Sequence, residues 1–142
     1  MNYDDRMRKL ADIKVRLAGK QALITNIKET IDRQAEYFDN WENLDVKEGH
    51  HYLKFRLKTE MGSYETLIEN LIDNIHNQVI SIQNQKDNEI AQLNYLATTY
   101  FDVEDYKKAK ILIHSLSCDE SVKTEIVTRF NNNNFIWKMA VG

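Results

Sequence analysis

The sequence predicts an all-α protein: a long antiparallel, coiled-coil-like helical hairpin, extended by shorter C-terminal helices into a bundle. Three observations predict it. The 142 residues include no proline and only four glycines, so little in the chain forces a helix to break. Lys, Glu, Gln, Leu and Ala, all good helix formers, are frequent. Between Tyr3 and Trp41, apolar side chains recur in alternating steps of three and four. That spacing lays one seam along a helix and asks for a helical neighbour.

The first element is a long coiled-coil helix over residues 1–41. Its seam holds Tyr3, Leu10, Ile13, Leu17, Ile24, Ile27, Ile31, Phe38 and Trp41, interrupted only by Arg6, Lys20 and Gln34. Residues 42–49, with Asn43, Asp45 and Gly49, read as a turn. A second long helical segment covers 50–101. Its seam is Leu57, Met61, Tyr64, Ile68, Leu71, Ile75 and Ile82, widened by Leu67, Ile72 and Val79. Gly62-Ser63 marks a bend, and the polar run 83–88 marks a break. Beyond it, Ile90, Leu93, Leu96, Ala97 and Tyr100 continue the apolar pattern.

A short helical pair over 102–130 follows. Asp102 has the chemistry to cap a helix that turns Tyr106, Ala109, Ile113 and Leu116 inward. Ser117-Cys118-Asp119-Glu120 has the form of a capping box and would open a helix carrying Val122, Ile126 and Phe130. The four asparagines 131–134 are expected to stop it, since Asn tolerates the left-handed conformation found at helix ends. Residues 131–142 form an apolar tail. Tyr52 to Lys58 alternates with period two, as a strand does. A lone strand is not stable, so this alternative would require pairing with another chain.

Two registers are open to the long seam. A parallel self-dimer would set Lys9 against Lys14, Arg16 against Gln21 and Leu23 against Lys28, with no favourable ion pair among them. An intrachain antiparallel fold-back, pairing residues whose numbers sum to 93, sets Lys28 against Glu65. On the other flank it brings Leu23 to Leu67 and Arg16 to Asn74, with no like charges in collision. The hairpin is therefore favoured, with a homo-oligomer expected on top of it, because two long helices seldom cover both of their apolar faces.

Hydrophobic residues are 42% and charged residues 29% of the chain, a globular balance for one domain, 1–142. The net charge of −3 is too small to imply a nucleic-acid, membrane or cationic partner. Cys118 is the single cysteine, which excludes an intrachain disulfide and suits a reducing compartment. No secretory leader and no membrane-length apolar run is visible. The abundance of Asn and Ile suggests an AT-rich genome, such as that of a phage or mobile element. The expected location is the cytoplasm, of the host if phage-encoded, or else the virion.

The motifs of chemistry are thin. His50, His51, His76 and His114 lack the spacing of a zinc site. His114 and Cys118 are four apart, the start of a nucleophilic pair, but the capping box would break the helix between them. A small buried thiol is the commoner reading. The glycines are too scattered for a phosphate loop. No catalytic residue, cofactor or metal is expected.

Two surfaces invite partners. Phe135, Ile136, Trp137, Met139 and Val141 crowd the tail, where side chains are normally polar unless tied down. Aromatic and Met anchors suit interfaces. The tail is expected to be an ordered anchor, docked on its own bundle or on a partner. The second surface is basic: Arg6, Lys9, Lys14 and Arg16 on the first helix, with Lys54, Arg56 and Lys58 interleaved with Tyr52 and Phe55. Such interleaving can track a phosphate backbone and stack bases.

Ala97, Tyr100, Asp105, Tyr106 and Ala109 resemble the helix junction of a tetratricopeptide repeat, present here in one copy where such repeats need several. The same stretch resembles the C-terminal helical bundle of the iron–sulfur J-type co-chaperones, whose His-Pro-Asp signature this proline-free chain lacks. Neither resemblance carries a function over.

The sequence thus predicts a non-enzymatic protein that presents helical surfaces to protein partners. It would serve as an assembly or scaffold component, or as a small modulator of a host machine. The alternative is a nucleic-acid-associated accessory protein using the basic residues.

Overall fold

The computed structural model describes residues 2–39 and 44–141, with backbone alone for 35–39 and 44–46. Every regular element among them is helical. The order is α1 (Tyr3–Asp39), α2 (Leu44–Leu93), a 3₁₀ turn (Asn94–Ala97), α3 (Val103–His114), α4 (Glu120–Asn133) and α5 (Phe135–Val141). The contacts divide the chain into two compact units, residues 10–77 and residues 1–9 with 78–142.

The first unit is the antiparallel hairpin. Lys28 Nζ lies 3.2 Å from Glu65 Oε2, the pair expected from the fold-back register. Four residues further along α1, Asp32 accepts a 2.7 Å hydrogen bond from Lys58 Nζ. As α1 advances α2 recedes, which fixes the antiparallel sense. The inner seam of α1 runs through Leu10, Leu17, Gln21, Ile24, Lys28 and Ile31. On α2 it runs through Met61, Glu65, Ile68, Ile72 and Ile75.

This corrects about a third of the expected seam. Ile13 and Ile27 lie on the outer flank of α1, and Leu57, Tyr64, Leu67 and Leu71 lie outside on α2. The helices carry an apolar face too wide for one neighbour, so a single three–four track merges two faces. Phe38 and Trp41, the last positions of that track, fall outside the described side chains.

Three boundaries also differ from expectation. Residues 44–49, read as part of a turn, are helical, while 42 and 43 lie outside the described residues. The Gly62-Ser63 bend and the 83–88 break do not interrupt α2. Gln and Lys are good helix formers and Asn costs only a few tenths of a kcal/mol, while Lys86 is held by Asp4 at 2.8 Å. Residues 52–58 are helical, not extended.

The second unit holds the larger core. Ile113, Val122 and Ile126 are fully buried, and Tyr106 and Phe130 are nearly so. They pack with Ile90, Leu96, Ala97 and Ala109. The Tyr106 and Phe130 rings stack with centroids 5.1 Å apart. Asp102 caps α3 as expected, accepting from the Glu104 N–H at 2.7 Å. For α4 the cap is Asp119, not Ser117. Its carboxylate accepts from the Ser121 N–H at 2.9 Å and also from the Tyr3 N–H at 3.1 Å. Asp competes for the cap position on equal terms with Ser, and here it serves two helix starts. The Tyr3 hydroxyl donates to Glu89 at 2.5 Å. No described helix is long and apolar enough to cross a membrane.

Candidate docking site

The asparagine run stops α4, as expected, but only at its last residue, and it does more than stop a helix. Asn131, Asn132 and Asn133 continue α4, and only Asn134 departs from it. Asn134 is buried, and its side chain is fully used. Nδ2 donates to Thr98 O at 2.8 Å and to Phe130 O at 3.0 Å. Oδ1 accepts from the Tyr100 N–H at 2.7 Å. Asn133 Nδ2 donates to Ala97 O. Two amide side chains therefore clamp the segment between the 3₁₀ turn and α3, where backbone groups would otherwise lack partners.

Directly after the clamp the chain re-enters a helix, α5, with the Lys138 N–H on Asn134 O at 2.9 Å. Trp137 turns inward. Its Nε1–H donates to Tyr100 O at 2.8 Å, and its ring lies 6.4 Å from that of Tyr106. The tail is thus docked on its own unit through one residue. Phe135, Ile136 and Met139 face solvent, and Val141 is at the edge of exposure.

Between the clamped segment and α5 lies a cleft of about 470 Å³, lined by Thr99, Tyr100, Phe101, Asn134, Ile136 and Trp137 among others. Its rim is apolar and wet: Phe101 is 90% exposed and Ile136 76%. Sequence reasoning named Ile136 and Trp137 but missed Phe101 and Asn134. A hint was present in Tyr100-Phe101, an aromatic pair before a helix cap, where one ring has no helical face to join.

The basic residues are dispersed. Arg6 and Lys9 belong to one unit, and Lys14, Arg16, Lys54, Arg56 and Lys58 to the other. Lys58 and Lys54 both reach Asp32, at 2.7 and 3.8 Å, and Arg56 reaches Glu60 at 3.7 Å. The Lys58 hydrogen bond, helped by the charges of Lys58, Lys54 and Lys28, holds the Asp32 carboxyl below its usual range. Carboxylates already placed against these cations oppose a phosphate backbone.

His114 ends α3 and Cys118 lies in the following loop. Burial pushes the Cys118 thiol up, and the Glu89 charge adds to it, the reverse of what a nucleophilic cysteine needs. No group of three His, Cys, Asp or Glu side chains suited to a metal ion occurs among the described residues. No family model, curated protein or solved structure matches the chain.

Proposed function

We propose that the chain is a non-enzymatic interaction protein that docks an apolar segment of a protein partner at the cleft beside α5. The observation that carries this reading is the rigid mounting of exposed anchors. Asn134 and Trp137 use their polar atoms to fix a frame, and the frame leaves Phe101, Phe135 and Ile136 in water. Exposed aromatic groups around a preformed concavity are the features that concentrate binding energy at interfaces. The roles that fit are an assembly or scaffold component, or a small phage- or mobile-element-encoded modulator of a host machine.

The test is affinity capture from the source cell with wild type and with a Phe101→Ala/Ile136→Ala double variant. The reading expects one dominant protein captured by wild type and lost by the variant at unchanged melting temperature. Equal capture by both sinks it.

A further inference from the structure

The hairpin unit spans residues 10–77. Among its described side chains only Ile24 and Ile75 are buried. Its inner seam includes Gln21, Lys28 and Glu65, so it seals little apolar surface. The apolar residues it leaves outside are ordered. Ile13 and Ile27 each follow the α1 sequence one position before an inner-seam track, as Leu57, Tyr64 and Leu71 do on α2. In an antiparallel pair, equivalent flank positions of the two helices fall on the same side. With Leu67 beside them they form one stripe along one side of the hairpin, each 38–55% exposed.

We propose that a second copy of this chain covers this stripe, two hairpins closing into a four-helix assembly about a two-fold axis. Four observations favour a copy over another occupant. The stripe's half-exposed residues amount to on the order of 600 Å², most of what one partner contributes to a standard interface. Both helices carry an inner face and a flank face, as helices with two neighbours in a four-helix bundle do. A copy brings two helices of matching length and covers both stripes in one isologous contact. A single foreign helix would leave part of a two-helix stripe in water. The charge does not favour phosphate-bearing surfaces: residues 10–77 hold nine Lys and Arg against twelve Asp and Glu. Lys20, on the same flank track, can lay its methylenes on the stripe and keep its ammonium in water.

Sedimentation equilibrium of the full chain tests this. The expected mass in the micromolar range is twice 16.8 kDa; a monomer throughout that range overturns the proposal. An Ile27→Glu/Tyr64→Glu variant should raise the dimer dissociation constant by on the order of 100-fold or more while circular dichroism stays helical. If that variant unfolds, the milder Tyr64→Ser/Leu67→Ser pair is read instead, and an unchanged dimer overturns the proposal. The Phe101→Ala/Ile136→Ala variant must leave the dimer intact. Loss of the dimer there would place the contact at the cleft and overturn the stripe. The cleft reading stands or falls separately, by capture alone.

Discussion

Asn134 and Tyr100 are joined through the side-chain oxygen of one and the backbone N–H of the other, 2.7 Å apart and 34 residues apart in sequence. The same amide also satisfies Thr98 O and Phe130 O. Asn134→Ala removes all three bonds and leaves the Tyr100 N–H and Thr98 O short of a partner, while Phe130 O keeps the Asn134 N–H. Each unsatisfied buried group costs roughly 1–3 kcal/mol. The variant should lose about 2–4 kcal/mol in urea unfolding, whereas Asn132→Ala, on the exposed face, should stay within about 0.5 kcal/mol of wild type. Equal effects of the two would mean that the clamp contributes nothing.

Trp137 and Ile136 are neighbours with opposite jobs. Trp137→Ala strips the inward ring and its Tyr100 bond and should cost about 2–4 kcal/mol, toward the lower side for a half-buried Trp. Ile136→Ser touches a solvated side chain and should change stability by less than about 0.5 kcal/mol. Thermal melts of the two variants check this. A destabilised Ile136→Ser protein would show that the tail packs differently.

Ile24 is 8% exposed and Ile27 is 38% exposed. Ile24→Asp places a charge inside the hairpin and should cost several kcal/mol, abolishing helical signal from the long helices at moderate temperature. An Ile24→Asp chain that melts like wild type would show that the seam is not the hairpin's core.

The hairpin should weaken in acid through Asp32. Its folded pKa lies below the unfolded value of 3.8, chiefly because Lys58 hydrogen-bonds the carboxylate. The contribution is therefore complete above the unfolded pKa and is lost as pH falls through the folded one. The urea midpoint of wild type should drop between pH 5 and pH 3 by more than that of Asp32→Asn. Identical pH profiles would remove the Lys58 bond from the account.

Much of the architecture was legible in the residues. Placing Lys28 against Glu65 followed from avoiding like charges in the fold-back, and the contact is present at 3.2 Å. Asp102 was recognisable as a cap because its side chain precedes a clean helical period. Where structure and sequence pattern differ, local polarity does not report local structure. The 83–88 run is polar because most of it faces solvent on a continuing helix. Ile13 and Ile27 fit the inward track by spacing yet lie outside, because periodicity reports an apolar face but not how many neighbours share it. Of the candidate site, the tail's anchors were visible as composition. Phe101 is hinted at only by its place between Tyr100 and the Asp102 cap, and the Asn134–Tyr100 bond beside it joins segments that no local pattern encodes.

The carboxylate of Asp119 caps α4 and also takes the Tyr3 N–H, across 116 residues of sequence. The first turn of α1 therefore waits, during synthesis, for a side chain made after more than a hundred further residues. Until then the Tyr3 and Asp4 amides have only water, whereas the Asp5 N–H is capped locally by Asn2 Oδ1 at 2.8 Å. Closing so long a loop is entropically unfavourable and is offset only by contacts made at the same moment. The beginning of the chain and the beginning of α4 should accordingly gain protection against amide exchange together, as one cooperative folding unit, while the middle of α1 follows its own clock.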